Sequence, residues 1–454
     1  MKQAIFAAAV LSLSATTVLA QDSTVLTGKD AFGDFSQDAP GVRRLIKATD
    51  LEAPNVTESA SNAPAGVPMP EGAMPEVPDG FTVEMVASGI TNPRVLSFAP
   101  NGDLFVANSS DGEVLVFDFD ETGGMKEVEP SVYVDKLNEP YGIAFYPADN
   151  PEWIYIAESD GLKRFRYTEG DLKVQDVDSR PDSGEPILTA IPAEHHWTRD
   201  VVFSPDGETM FYSVGSGSNV GLDMTMDPKP EGDLDAWIKD HPLGVAWGGE
   251  ERRAAVLAFD PDGENERYFA TGLRNCSGMT IQPATGKLWC VVNERDELGD
   301  NVPFEYATSV QEGAFYGWPW YYIGDNPDPR WEATPREDLK GQITVPDVLF
   351  QAHSAPLGIT FYDSDASGAD YEGDAFVAMH GSWNRESRTG YKVVKLDFDD
   401  AGNPTGEYED FMTGFVIDAD DVWGRPVDVA VAPDGALFVS EDGSGTIWRV
   451  SKAE

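Results

Sequence analysis

GLRNCSGMTIQPATGKLWCVVNERDELGD, residues 272–300, reads as a β-hairpin with polar ends. An apolar run at 279–282 meets a Pro-Ala-Thr-Gly turn at 283–286, and 287–292 returns as a second strand rich in residues that suit a pleated surface. Arg274 and Asn275 precede the first strand, and Asn293, Glu294, Arg295 and Asp296 follow the second. A tight hairpin therefore brings these polar groups to one edge of a small unit.

The unit recurs along the chain. An apolar strand, a Pro-Asp-Gly-like turn and a Leu-Phe-Val-like strand appear at 96–109 (LSFAPNGDLFVANS), 143–159, 201–217 (VVFSPDGETMFYSVGSG), 279–294 and 429–445 (VAVAPDGALFVSEDGSG). A looser sixth copy, with a long loop in place of the turn, spans 359–382. Most copies are followed by a further strand, and amphipathic helical patterns are almost absent. Six strand-rich units predict an all-β fold, a six-bladed β-propeller over 81–454. A six-stranded sandwich does not explain the recurrence. Spacing beyond a minimal blade predicts long loops at 217–253 and 296–348.

Residues 1–20 (MKQAIFAAAVLSLSATTVLA) resemble a secretory signal, with Lys2, an apolar stretch and a small-residue cleavage site, and no later run is long enough to cross a bilayer. The expected product is exported, periplasmic or secreted, and not inserted in a membrane after signal removal. Residues 21–80, rich in Pro, Ala, Ser and acidic residues, predict an extended N-terminal arm lying on the propeller, in part without fixed structure. Lys plus Arg number 32 against 79 Asp plus Glu, a formal charge of −47. Nucleic acid and anionic membranes need basic patches and are excluded as partners. A solvated acidic surface, or a docking face for a basic redox partner, is compatible with that charge.

Cys276 and Cys290 both lie in the opening hairpin. An oxidising compartment permits a disulfide, but a hairpin centred between Ala284 and Thr285 sets Cys290 opposite Met279 and not Cys276. The pairing stays open. No Cys-x-x-Cys-His is present, so no covalently held haem is expected.

In a propeller the first strand of each blade lines the central channel, and the residues just before it stand at the channel mouth. Counting back from each turn proline, those positions hold Arg94, Asn138, His196, Arg274 with Asn275, His353 (from Tyr362) and Arg425. His380 and Arg385 follow the second strand of the fifth copy and should join them. Four of the five histidines fall in or beside such slots. Converging guanidinium groups predict a local positive basin suited to a small polyanion, because Arg binds carboxylates through two parallel bonds.

With TNPRVLSFAPNGDLFVANS, HHWTRDVVFSPDG, GLRN, VVNERDELGDNVP, YGWPW, MHGSWNR and GRPVDVAVAPDG in view, the chain resembles the soluble sugar dehydrogenases that use pyrroloquinoline quinone (PQQ). Within them it is most similar to the L-sorbosone and pyranose dehydrogenase branch. The resemblance covers nearly all of the chain after the signal. It implies PQQ and Ca²⁺ as cofactors, a sugar or sugar aldehyde as substrate, and an external electron acceptor such as a soluble cytochrome c. It also implies that His196 is the general base, that Arg274 and Asn275 polarise and hold the quinone, and that the backbone carbonyls of Glu294 and Arg295 bind calcium. His353, His380 and Arg425, with Arg94 and Arg385, would surround the cofactor carboxylates. The family's aspartate that orients the base is replaced by Ser216, which leaves that task to His195 or a loop carbonyl. Leu137 or Asn138, Val427 and the missing Lys within HGSW depart from the glucose dehydrogenase pattern. A lactonase-type metal hydrolase and a cofactor-free binding scaffold are the competing functions for such a propeller.

Overall fold

A computed structural model of the protein describes residues 24–119, 129–174, 184–222, 224 and 234–453. The expected signal segment lies outside them. Six four-stranded antiparallel blades follow one another in chain order. Their innermost strands are Pro93–Phe98, Ile143–Tyr146, Val201–Phe203, Cys276–Ile281, Pro356–Phe361 and Pro426–Val431. Residues of all six line one axial cavity of about 270 Å³, so the ring closes around a central cavity. The all-β, six-bladed expectation holds.

Each second strand is almost wholly buried, as in Leu104–Asn108, Met210–Val214, Leu288–Val292, Ala375–Met379 and Leu437–Glu441. Neighbouring blades cover both faces of these strands. That is why LFVAN, LWCVV and LFVSE read as short continuous apolar runs rather than alternating ones.

The last blade is closed from the other end of the chain. Phe81–Ala87 pairs antiparallel with Thr446–Lys452, Val83 opposite Val450. The arm before it is pinned rather than loose. Arg43–Leu45 adds to the outer strand Pro404–Met412 of blade five, and Ala65–Gly66 pairs with Asp421–Val422. Beneath the first contact lies a buried quartet. Arg44 meets Asp38 and Asp410 at 2.7 and 2.8 Å, and Lys392 meets the same two carboxylates at 2.7 and 2.8 Å.

Two loop expectations are corrected. The stretch 296–348 holds the third and fourth strands of blade four as far as its start, with Glu305–Ser309 paired to Leu288–Val292 and to Val348–Phe350. The stretch 217–253, partly outside the described residues, carries a helix at Leu234–Asp240. No helix among the described residues is long and apolar enough to cross a membrane.

The hairpin register is as read, Met279 opposite Cys290 and Ile281 opposite Leu288, yet Cys276 and Cys290 are disulfide-bonded with Cα atoms 5.8 Å apart. A bulge between Cys276 and Gly278 absorbs one residue. It shifts the strand's phase, bringing Cys276 onto the face of Met279 and Cys290. Similar irregularities interrupt the inner strands of blades one, five and six, at Pro93/Leu96, Pro356/Gly358 and Pro426/Asp428.

Two inner-strand aspartates stitch blades together. Asp200 of blade three accepts from Met279 N of blade four at 2.6 Å, and Asp428 of blade six accepts from Leu96 N of blade one at 2.8 Å. Gly142 and Gly358 of the preceding blades leave room for them, since a Cβ there would strike the carboxylates. Burial pushes Asp200 up to about 7 and Asp428 up to about 8. A carboxyl whose folded pKa exceeds its unfolded one favours the fold while protonated, so stability falls as pH rises from about 4 through 7–8 and then levels off. Thermal midpoints measured from pH 5 to 9 should decline across this window, and the decline should be shallower in Asp428→Asn.

Candidate active site at the propeller mouth

The loop entering blade three carries His195 and His196 and is held by two arginines through its carbonyls. Arg199, fully buried, donates to the carbonyls of Pro192, His196 (2.8 Å) and Thr198 (2.5 Å), and Arg253 donates to Gly215 (3.0 Å) and Glu194. The His196 Nδ1 lies 2.9 Å from the Ser216 carbonyl and 3.0 Å from its hydroxyl. The carbonyl can only accept, and the hydroxyl donates onward to Ser218 O at 2.7 Å, so Nδ1 carries the proton and Nε2 keeps its lone pair. A loop carbonyl thus does what an aspartate was expected to do. Burial, then Arg274 and His195, hold the imidazole well below the usual histidine range. His196 is neutral at pH 7 and remains so well into acid.

Arg274 lies beside it. Its Nε donates to Asn219 O (3.2 Å), Nη1 to the carbonyls of Asn293 (3.2 Å) and Glu294 (2.7 Å), and Nη2 to Asn219 Oδ1 (3.0 Å) and Asp296 Oδ2 (3.3 Å). All five N–H groups are engaged, so Arg274 acts on a ligand through its charge unless a longer bond is exchanged. Asp296 also reaches His353, whose Nδ1 is 3.5 Å from Asp296 Oδ1 and whose Nε2 donates to Gly299 O at 2.9 Å. Asn275 is buried and its Oδ1 has no partner. A Cβ on Gly215 would meet both Asn275 Oδ1 and the His196 Cβ, which sets those two side chains next to each other.

A second group faces the same axis. Asp442 takes an ion pair from Arg94 and a 2.7 Å bond from His380 Nε2. The Arg94 guanidinium lies 5.5 Å from the ring centroids of both Tyr141 and Trp197, and Trp197 adjoins His196 in sequence. Burial brings His380 down to about 4 against the pull of Asp442. Asp442 is buried too, which alone would raise it, yet His380 and Arg94 hold it below the usual carboxylate range. The neutral ring therefore donates from Nε2. Half-buried Arg425 donates only its Nε, to His380 O at 3.3 Å; its Nη groups have no partner among the described residues.

The mouth thus gathers His196, Arg274, Asn275, His353, Arg94, His380 and Arg425. Two expectations change. The basin is not purely cationic, because Asp296 and Asp442 sit within it; a buried guanidinium without a counter-ion is costly, and the chain supplies both. Arg385 is not brought to the cluster. Its five N–H groups go to the carbonyls of Asp300, Gly33, Ser387 and Phe32 and to Asn301 Oδ1, which ties blade five to the arm. The Arg295 side chain pairs with Asp328 at 3.0 and 3.1 Å, and the Glu294 carbonyl already accepts from Arg274. The Glu294 carboxyl is buried, has an unpartnered Oε1, and is pushed by burial up to about 7. No cluster of three or more His, Cys, Asp or Glu side chains among the described residues could hold a metal. A site built on carbonyls is a different donor set.

A family model described as TrAA12-like matches residues 75–312 and 332–453. The chain belongs to the TrAA12-like family. The resemblance read from VNERDELGDN and MHGSWNR agrees with that membership. A "Pyrroloquinoline quinone-dependent pyranose dehydrogenase" of Coprinopsis cinerea is 24% identical over 444 residues, covering 85% of this chain and 56% of the relative's own length. The holo PQQ domain of the pyranose dehydrogenase from that fungus superimposes with a TM-score of 0.65 at 21% identity, over 85% of this chain and 98% of that one. A calcium structure of the Trichoderma reesei family AA12 enzyme gives 0.66 at 19% identity, over 88% and 99%. The TrAA12-like match leaves the arm before residue 75 outside it.

Proposed function

We propose that the mouth binds PQQ with calcium and oxidises a free sugar or sugar aldehyde of the sorbosone, aldose or pyranose class. Electrons would pass to an external acceptor such as a basic soluble cytochrome c, for which the chain's charge of −47 offers a complementary surface. Family membership, the names of its relatives and the site's unfilled groups support this reading. We also infer export to the periplasm or medium from residues 1–20.

The residues present fit the cofactor. The uncommitted Nη groups of Arg425 are donors with no protein counterpart, as a site for a hydrogen-bonding polyanion requires, and the partnerless Asn275 Oδ1 is an acceptor left for an N–H or O–H of a bound ligand. Arg425 would pair with a cofactor carboxylate, with His380 and Arg94 beside it, and Asn275 would hold the quinone edge. For calcium the available donors are the Arg295 carbonyl, the remaining lone pair of the Glu294 carbonyl and the partnerless Glu294 carboxyl oxygen; the ion would add positive charge there. When bound, PQQ supplies the hydride acceptor.

The chain's own groups supply the rest. His196 Nε2, unprotonated and aligned through Ser216, takes the hydroxyl proton of the substrate. The Arg274 guanidinium provides a fixed positive field beside the place where negative charge develops. The observation that carries the proposal is the meeting of a tautomer-fixed neutral His196 with Arg274 and unpartnered Asn275.

The test is reconstitution. Purified protein with PQQ and Ca²⁺ should reduce a dye with aldoses or sugar aldehydes. Absence of both quinone binding and turnover across a broad panel rejects the reading, and lactone cleavage without PQQ would favour a hydrolase. Arg425→Ala should weaken PQQ binding about 10- to 100-fold, the loss of one charge-assisted pair, measured by fluorescence titration.

A further inference from the structure

The Asp296–Asn301 loop joins Arg274 to His353 through the Asp296 carboxylate, yet it has no strand or helix of its own. Glu297 and Gly299 adopt φ of 71° and 111°. Its shape is imposed by foreign groups. Glu297 N donates to Asn384 Oδ1 (2.7 Å), Leu298 O accepts from Asn55 N (2.6 Å), and Asp300 N donates to Thr57 Oγ1 (2.8 Å). Asn384 is itself anchored on the arm, donating from Nδ2 to Ala60 O at 2.5 Å. A Cβ on Gly299 would come within 2.9 Å of Thr57 Oγ1, so the two backbones lie in direct contact. The arm then crosses to blade five, where Asn62 N donates to Trp383 O (2.7 Å) and Asn62 O accepts from Arg388 (3.0 Å).

We propose that residues 55–62 form a strap that positions the Asp296 loop, with Thr57 and Asn384 as positioning residues, so that quinone capture depends on the arm. This rests on the reading of the mouth as a PQQ site. The strap lies wholly outside the residues that the family model matches. Thr57 and Asn384 touch neither His196 nor Arg274. They act through the loop that carries Asp296, and hence through the Arg274–Asp296–His353 bridge.

The experiment compares Thr57→Val, Thr57→Ser and Asn384→Ala with the wild type, using full-length protein. Amide hydrogen exchange at Glu297 and Asp300 reads the strap without any cofactor, and PQQ titration reads its consequence. Losing one hydrogen bond should speed exchange at Asp300 about fivefold or more in Thr57→Val and weaken PQQ binding by a similar factor. Thr57→Ser, which keeps the hydroxyl, should restore both. Asn384→Ala should act at Glu297 in the same way, with thermal midpoints close to wild type. Unchanged exchange in Thr57→Val overturns the strap. Faster exchange with unchanged PQQ affinity overturns its role in capture. Failure of Thr57→Ser to rescue assigns the effect to packing and overturns the role of the hydroxyl. If the wild type binds no PQQ, the functional reading and the capture role fall together, while the exchange data still decide whether the strap holds the loop.

Discussion

His196→Ala is expected to lower kcat for sugar oxidation about 10²- to 10⁴-fold, the usual contribution of a positioned general base, while PQQ affinity changes little. The groups proposed to hold the cofactor, Arg425 and Asn275, do not depend on this side chain. The Ser216 contact makes a companion result informative. Ser216→Ala removes the hydroxyl but leaves the carbonyl that fixes the tautomer, so its cost should stay far below that of His196→Ala. The imidazole is held well below its usual pKa, mainly by burial. It stays unprotonated as pH falls, and kcat should show no loss in the range where an ordinary histidine titrates. A steep fall near pH 6.5 that disappears in His196→Ala would show the base to be solvated, contrary to this account. A drop in PQQ affinity matching the drop in kcat would make His196 a binding group instead.

The second large effect is on stability. Asp38→Ala removes one anion from the quartet with Arg44, Lys392 and Asp410, where the Arg44 side chain is 0% and the Asp410 side chain 0% exposed. Two cations would then share one carboxylate away from water. Breaking a buried pair in this way costs about 3–5 kcal/mol. The loss should appear first as opening of the arm, so exchange protection of the amides in Arg43–Leu45 is the direct measurement. Asp38→Ala and Asp410→Ala should be strongly non-additive, because both act on the same cations. A change below about 1 kcal/mol would mean that water already reaches these charges.

What the sequence disclosed follows from how local each signal is. Turn prolines and twice-covered strands are written within a dozen residues, so the blades were legible from LFVAN, LWCVV and LFVSE. Mouth positions were legible because repetition turns spacing into geometry: Asp296 links Arg274, beside His196, to His353, and Arg425 joins Arg94 and His380 around Asp442. Asp296 stood in the opening stretch but read only as part of a polar edge, since its partner His353 comes from the next blade. Asp442 and Asn219 have no counterpart at equivalent places in the other copies, and Asp200 and Asp428 show themselves only as a matched pair five residues before two turn prolines. Arg385 lay within a telling motif, but the arm draws its side chain away. The cysteine pairing was hidden by one bulged residue, which a count across a regular hairpin cannot register.

The seam in blade six sets the order of events during assembly. Phe81–Ala87 precedes the other five blades in the chain, yet its partner Thr446–Lys452 follows all of them. Five blades can form while the chain is still emerging, but the circle stays a broken one until Thr446–Lys452 has been made. Until then one edge strand waits with its hydrogen-bonding groups unmatched, and the nascent protein is most open to mispairing with a second copy of itself.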